Sequence, residues 1–308
     1  MISYYKTVNG RIVGIDSYEP GCWINCVSPE EHEVNSLIED FNIEPDFFRS
    51  ALDEEETSHI DYENGTTLII IDTPVVKRLD KHFTYSTMPL GIMITDRNVI
   101  TVSLKENQII NEFADGVARN ANTHFKTQFV LTIMLKIATK YLQYLNQIDK
   151  ITGHVENEMR RSMKNQELIQ LLEIEKSLVY FSSSLKASDA TLEKIMRGRY
   201  IKLYEEDQDL LEDVLIEIKQ GIDMANIYLS VLSGTMEAYG SVISNNLNIV
   251  MKRLTSVSLL ISIPTVVSGI YGMNNPGIPA MDLWWAPFLI SVLLMGASWF
   301  ILRKTDML

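Results

Sequence analysis

The sequence contains little cysteine and little histidine. Only two of its 308 residues are cysteines, Cys22 and Cys26, which is too few for a disulfide scaffold or a cysteine-rich metal cage. We expect both to be reduced thiols in a cytosolic domain. The five histidines are scattered without metal-ligand spacing, at His32, His59, His82, His124 and His154. The sequence also lacks a P-loop, a G-x-G-x-x-G and a G-x-S-x-G motif, which argues against an enzyme and against a nucleotide-driven pump.

Basic residues are scarce as well. The chain has 27 Lys+Arg against 40 Asp+Glu, a net charge of −13, and this argues against a nucleic-acid partner because phosphate binding needs clustered Lys and Arg. Residues 12–76 contain 16 acidic residues and a single basic one, Arg49, so the rest of the chain carries a net +2. A second acidic cluster, opposed only by Lys219, consists of Glu205, Glu206, Asp207, Asp209, Glu212, Asp213, Glu217 and Asp223.

Charge of either sign is missing from two long runs near the C-terminus. No charged residue occurs from Leu254 to Met281 or from Leu283 to Leu302, and only Asp282 separates the two runs. Each run has the length that a helix needs to cross a bilayer. The sequence therefore predicts a membrane protein with a large soluble part.

The basic residues beside these runs predict the orientation. Lys252 and Arg253 precede the first run, Arg303 and Lys304 follow the second, and residues 272–282 between them contain none. Because Lys and Arg are retained on the cytoplasmic side, both termini are expected in the cytoplasm, with the chain a multi-pass protein of the cytoplasmic (inner) membrane. The first eleven residues lack an apolar segment, so no cleavable signal is expected.

Proline is absent between Pro89 and Pro264, which allows that stretch to be mostly helical. Before Pro89, β-branched and aromatic runs predict strands over 11–16, 22–27, 58–62, 66–72, 85–95 and 98–104. Segments that open with proline and acidic residues predict helices over 29–41 and 45–52. Asn64-Gly65 predicts a hairpin turn. Longer helical patterns cover 125–163, 166–196 and 202–271.

The expected fold class is α+β. It comprises an N-terminal cytoplasmic α/β domain (1–120), a region of long helices ending in a stalk (121–252) and a transmembrane domain (253–308). In the last domain, spans of about 253–272 and 283–302 flank an outer loop over 272–282. A single helix from 202 to Tyr271 extends roughly 100 Å at 1.5 Å per residue, so it has to protrude from the membrane.

A stripe of small and polar residues follows this long helix in alternating steps of three and four. Its members toward the membrane are predicted to line a pore: Glu237, Asn248, Met251, Thr255, Ser258, Ser262, Thr265 and Gly269. Small residues also allow transmembrane helices to pack closely, so tight packing is the alternative. Polar groups inside a membrane usually face a water-filled cavity, and a pore lined by single helices requires a symmetric ring of chains.

Met251 and Leu254 interrupt the polar character of this region. Together they are predicted to form a hydrophobic constriction that gates by dewetting. The alternative for Leu254 is packing between helices.

The first span ends in Tyr271-Gly272-Met273-Asn274. This motif, at the end of the first of two C-terminal spans and behind a long stalk helix, resembles the CorA family of magnesium transporters. The resemblance is closest over 248–274. It implies a funnel-shaped homopentamer in which the stalk and the first span line the pore. Gly272, Met273 and Asn274 then form the outer selectivity filter, where neutral oxygens hold hydrated Mg²⁺.

The resemblance also implies a regulatory Mg²⁺ site between the stalk of one subunit and the α/β domain of its neighbour. An ungapped match from the motif places Asp213 on the stalk carboxylate of that site. The nearest alignment of the partner position gives Ser50, with Asp53 and Glu54 to Glu56 just beyond it. We expect Mg²⁺ to bridge Asp213 and Asp53, because two acidic surfaces repel unless a cation lies between them. A solvated acidic surface is the alternative.

The expected function is channel-like Mg²⁺ uptake, driven by the membrane potential and closed by intracellular Mg²⁺. Mg²⁺ is then both cargo and regulator, and the expected partners are copies of the chain, membrane lipid and divalent cations. Transport of Zn²⁺, Co²⁺ or Ni²⁺ is an alternative, although no His or Cys lies near the stripe to select a dehydrated soft metal. A membrane-anchored sensor or scaffold without transport is the third possibility.

Overall fold

A computed structural model describes residues 1–79, 82–118, 121–162, 165–273, 278 and 283–305. The chain divides into two compact units, Met1–Ser233 and Gly234–Leu308. The three-domain division expected from the sequence remains a prediction.

The first unit contains a seven-stranded sheet. Its strands are β1 (Ile2–Val8), β2 (Arg11–Ile15), β3 (Trp23–Val27), β4 (His59–Glu63), β5 (Thr66–Leu79), β6 (His82–Ile94) and β7 (Val99–Ser103). Their order is β2-β1-β3-β7-β6-β5-β4. Only β3 and β7 pair in parallel; the other neighbours are antiparallel.

Helices pack against both faces of this sheet. Because side chains alternate between the two faces along each strand, neighbouring residues of one strand contact different helices. Cys22, Ile24 and Cys26 belong to a buried cluster with α1 (Glu31–Phe41) and α2 (Pro45–Ala51). Trp23, which has the opposite parity, lies with its ring centroid 5.4 Å from that of Phe129 in α4 (Lys126–Ser162). The short helix α3 (Gln108–Ala114) also packs against α4 through an edge-to-face contact between Phe113 and Phe129.

Two features show how closely the sequence specifies this sheet. The predicted Asn64-Gly65 turn is confirmed, since both residues have positive φ, 51° and 81°, as a two-residue hairpin turn requires. At Gly91 in β6, a Cβ atom would lie 2.4 Å from the Cβ of Ala51 in α2. Glycine is needed there because no side chain fits between the helix and the sheet.

The helical part of the first unit is built from α4, α5 (Asn165–Met196) and the first part of α6 (Glu205–Tyr271). The Ser182 hydroxyl donates to Asn226 Oδ1 at 2.9 Å and the Ser233 hydroxyl donates to Glu175 Oε1 at 2.9 Å. These two pairs fix α5 and α6 as antiparallel neighbours.

The predicted long helix is confirmed. At 67 residues, α6 is about 100 Å long, and it contains Pro264 in its interior. It begins at Glu205 rather than 202, because the Asp207 carboxylate accepts a 3.0 Å hydrogen bond from the Tyr204 backbone N–H and caps the helix there. The last helix, α7 (Ala286–Lys304), has 19 residues. Both α6 and α7 contain a window long and apolar enough to cross a membrane.

Candidate functional site

The predicted pore stripe is exposed on α6. All eight side chains or positions are exposed in the single chain, namely Glu237, Asn248, Met251, Thr255, Ser258, Ser262, Thr265 and Gly269. Apolar neighbours such as Ile261 and Val266 are exposed too, whereas Ser256 and Val267 are buried. The second unit therefore presents a polar and an apolar surface on one helix, and the described residues of the chain leave most of both exposed.

The spacing of the stripe has a geometric consequence. Steps of three and four average 3.5 residues, and a straight α-helix drifts by about 20° per heptad against that period. From Glu237 to Gly272 the stripe spans 35 residues, so on a straight helix it turns through about 100°. Only a left-handed supercoil keeps such a stripe on one face.

Two hydroxyls of the stripe bond to their own helix. The Ser262 hydroxyl donates to the Leu259 carbonyl at 2.8 Å, and the Thr265 hydroxyl donates to the Ile261 carbonyl at 3.3 Å. Each hydroxyl hydrogen is thereby used within the helix, while the oxygen lone pairs remain as acceptors. The stripe can therefore accept hydrogen bonds from water.

The helix ends at the predicted filter. The Gly272 N–H donates to the Ser268 carbonyl at 2.9 Å and the Met273 N–H donates to the Ile270 carbonyl at 3.1 Å. Both residues are exposed. Asn274, the third predicted filter residue, lies outside the described residues.

The predicted gate residues are also exposed. Met251 and Leu254 have 53% and 59% of their surface accessible. They are three residues apart, so they lie on the same side of α6. More than half of the Leu254 surface is thus open to lipid or to another chain, and both interpretations of Leu254 stay predictions.

The acidic cluster at the start of α6 lies opposite a buried apolar stripe. That apolar stripe consists of Leu211, Val214, Ile218, Ala225 and Leu232. Asp209, Glu212, Asp213 and Asp223 are all exposed. Because the apolar stripe packs against the rest of the first unit, the Asp213 side chain on the other side of the helix is exposed to solvent.

The proposed partner segment is the turn between α2 and β4. Asp53 is exposed and its Oδ1 accepts a 3.0 Å hydrogen bond from the Glu55 N–H. Glu54 forms an exposed ion pair with Lys105 at 3.5 Å, and Glu56 lies 3.5 Å from His59. Within the described part of the chain, no three His, Cys, Asp or Glu side chains gather as a metal-binding group. Asp213 and Asp53 therefore do not belong to a three-ligand centre inside one chain.

Sequence reasoning missed a buried acid behind this segment. Asp72 in β5 has its backbone N–H bonded to Ser58 Oγ at 3.2 Å, and its carbonyl accepts from the Tyr141 hydroxyl at 3.2 Å. Burial raises the pKa of the Asp72 carboxyl, while a hydrogen bond from Ser184 partly lowers it. The partners are neutral hydroxyls of Ser58, just before β4, Tyr141 on α4 and Ser184 on α5, and such residues give no motif in the sequence.

The cysteines have no disulfide. Both are free cysteines, and both are buried. Burial raises the pKa of the Cys26 thiol to about 12, so it carries almost no thiolate at neutral pH.

The fold thus combines a seven-stranded α/β unit, a 67-residue helix and a second apolar helix, and the two helices are candidate membrane spans. A family model described as "CorA-like Mg2+ transporter protein" matches residues 19–304, and the chain belongs to this family.

Curated relatives cover nearly the whole chain. The cobalt/magnesium transport protein CorA of Methanocaldococcus jannaschii is 26% identical over 282 residues, which are 89% of this chain and 87% of the relative. The protein of the same name from Thermotoga maritima is 21% identical over 290 residues, or 90% of this chain and 80% of the relative. These relatives are transport proteins rather than enzymes.

A solved structure shares the fold. The complete structure of the CorA magnesium transporter from Methanocaldococcus jannaschii aligns with a TM-score of 0.80 at 23% identity, covering 99% of this chain and 96% of that chain. The predicted fold class, a soluble α/β part followed by a long helix and two C-terminal spanning helices, is confirmed.

Proposed function

We propose that the chain forms a homopentameric channel for Mg²⁺ uptake across the cytoplasmic membrane. The observation that carries the proposal is the exposed polar stripe of α6, which leads to Gly272-Met273-Asn274 in a member of a Mg²⁺ transporter family. One helix cannot enclose a pore, so a symmetric ring is needed. Left-handed coiling of the helices within that ring keeps the stripe on the pore axis.

The pore chemistry suits an ion that stays hydrated. Mg²⁺ loses water reluctantly, and neutral oxygens at Asn274 and along the stripe accept hydrogen bonds from that water. An inside-negative potential favours entry of a divalent ion by roughly 4 to 5 kcal/mol per 100 mV. Met251 and Leu254 form the hydrophobic constriction that closes the pathway.

Intracellular Mg²⁺ supplies the closing signal in this proposal. It binds between Asp213 of one subunit and Asp53 of the neighbouring copy. Both carboxylates are exposed, both lie in strongly acidic segments, and hard divalent ions prefer carboxylate oxygens. Loss of the ion leaves the two acidic surfaces to repel each other, which favours opening.

Proteoliposome flux tests the channel. With an inside-negative potential and a Mg²⁺-sensitive dye inside, we expect uptake by the wild type and a loss of at least about tenfold for Asn274→Ala, because the filter oxygen is removed. Asn246→Ala is the matched control, since Asn246 is exposed on α6 but lies about 160° round the helix from the stripe residue Asn248. Absence of wild-type flux contradicts the channel and favours a scaffold.

The same vesicles test regulation. Raising internal Mg²⁺ should reduce wild-type flux, and Asp213→Asn should shift the inhibitory concentration upward by about tenfold, as expected for loss of a charged ligand. Asp223→Asn removes an equal charge from the same helix and should leave the inhibition in place. An unchanged response in Asp213→Asn means that the bridge lies elsewhere.

Co²⁺ is a second candidate cargo. Two relatives are named cobalt/magnesium transport proteins, and a pore that passes hydrated ions does not require soft ligands for Co²⁺. Flux of Co²⁺, Zn²⁺ and Ni²⁺ in the same vesicles separates these ions from Mg²⁺.

A further inference from the structure

A cleft of about 1,010 Å³ lies in the first unit, away from the residues assigned above to the pore and to regulation. Four segments form its walls: the β4–β5 hairpin, the turn after β6, the start of α4 and the segment that leads into α6. Small-molecule sites typically occupy about 300 to 1,000 Å³. The cleft therefore has room for an organic ligand rather than only for an ion.

Three aromatic side chains stand open to solvent around this cleft. Tyr62, Phe125 and Tyr204 have 58%, 62% and 60% of their surface accessible. The face of an aromatic ring attracts an ammonium group. The Nζ of Lys202 lies 5.1 Å from the centroid of the Tyr204 ring, so an ammonium group of the chain itself already contacts one of these rings.

The charges of the cleft favour a cation. Its lining contains the carboxylates of Asp96, Glu205, Glu206 and Asp207 against the ammonium groups of Lys126 and Lys202. The Asp207 carboxylate caps α6, and the Lys126 ammonium donates to the carbonyls of Thr95 and Asp96 at 2.7 Å each.

The remaining acids are available to a ligand. Glu205 and Glu206 are exposed, and neither forms an ion pair within the described part of the chain. A metal ion would use only their oxygens. An organic ammonium ion uses the carboxylates, the ring faces and the apolar surface between them.

We propose that this cleft binds an organic cation with two or more amino groups, of the diamine or triamine class. One ammonium group pairs with Glu205 and Glu206, and the methylene chain lies along Tyr62 and Phe125. A second ammonium group reaches Tyr204 or Asp96. This proposal can be tested independently of the proposed channel, because binding to the cleft is measured without transport.

The test is isothermal titration of spermidine into the full-length protein in detergent, in excess Mg²⁺ so that sites for the divalent ion are filled. We expect saturable binding. The double variant Glu205→Gln/Glu206→Gln should weaken it by at least about tenfold, as expected for loss of a charged pair of acceptors. Tyr204→Ala should weaken it by about threefold to tenfold, from the loss of one cation–π contact.

Two controls separate this site from a general acidic surface. Glu31→Gln/Glu39→Gln removes the same charge from exposed positions on α1, and Phe83→Ala removes an exposed ring from β6. Neither should change spermidine affinity by more than about twofold. The proposal is wrong if spermidine fails to bind saturably, if excess Mg²⁺ abolishes binding, or if the controls weaken it as much as the cleft variants do. Circular dichroism of each variant verifies that it is folded.

Discussion

The two parts of α6 differ in whether their apolar side chains are buried within their own chain. From Glu205 to Leu232 the helix buries an apolar stripe within its own chain and exposes acids. From Gly240 to Thr255 every residue is exposed, including Leu247 and Val250, which are 61% and 59% accessible. One part of the helix completes the fold of a single chain, whereas the other has large apolar side chains that only lipid or further chains can cover. The same helix thus serves folding at one end and, in the proposed channel, assembly at the other.

The test with the largest expected effect places a bulky residue on the polar stripe, in the part of α6 that is exposed in the single chain. Ser258→Leu places an apolar side chain on the polar stripe, and we expect Mg²⁺ flux in proteoliposomes to fall by at least about tenfold because the pathway narrows and dewets. Val257→Leu adds a single methylene at the adjacent, apolar position and should keep flux within about twofold. Equal loss in both variants would mean that the stripe has no special role.

The next test compares glycines in the two parts. A Cβ at Gly221 would lie 3.1 Å from Leu185 Cδ1, whereas nothing lies within 4 Å of a Cβ at Gly240. Gly221→Leu should reduce the free energy of unfolding by about 1 to 3 kcal/mol through overpacking. Gly240→Leu should not, because the position is open and leucine favours a helix by up to about 1 kcal/mol over glycine. Thermal unfolding of the full chain followed by circular dichroism makes the comparison.

The smallest expected effect concerns the buried acid of the first unit. Because burial raises the pKa of Asp72 in the folded state, its charged form destabilises the fold as pH rises above the unfolded pKa, near 4. Asp72→Asn should therefore raise the melting temperature at pH 7 by about 2 to 4 °C, the shift that corresponds to about 1 kcal/mol.

The pH dependence provides the check on that prediction. The advantage of Asp72→Asn should shrink as pH falls and disappear below about pH 4, where the wild-type carboxyl is protonated in both the folded and the unfolded state. A difference that stays constant with pH would show that the Asp72 charge is not its cause.

Local patterns predicted most of the fold. The β-branched and aromatic run around Trp23 predicted a strand, Asn64-Gly65 predicted a hairpin, and the lack of proline before Pro264 predicted one long helix; the structure has all three. The prediction missed β1, whose residues show no buried face: six of its seven residues are half-buried and the seventh is exposed. The Asn9-Gly10 turn that follows it, with φ of 51° and 76°, was the available signal.

The site residues also divide into those that sequence patterns could predict and those that they could not. Helical spacing placed Met251 on the stripe, and the match from the motif placed Asp213 on the stalk. Both are exposed, and their roles stay predictions. The partner of Asp213 depends on how two chains meet, and no local pattern in one chain records that meeting. The cleft near Tyr204 was not predicted because its walls come from four segments that are distant in the sequence.

The hydroxyls of Ser262 and Thr265 have one more consequence for the proposed pore. Each donates its only hydrogen to a carbonyl of α6, so each offers a passing ion nothing but lone pairs. Water around a cation turns its hydrogens outward and bonds to such a wall. Water around chloride uses one of its two hydrogens on the ion and turns its oxygen outward, so it has fewer hydrogens to offer such a wall. In the proposed pore, an uncharged surface at these positions therefore favours cations over anions through the direction of a hydrogen bond.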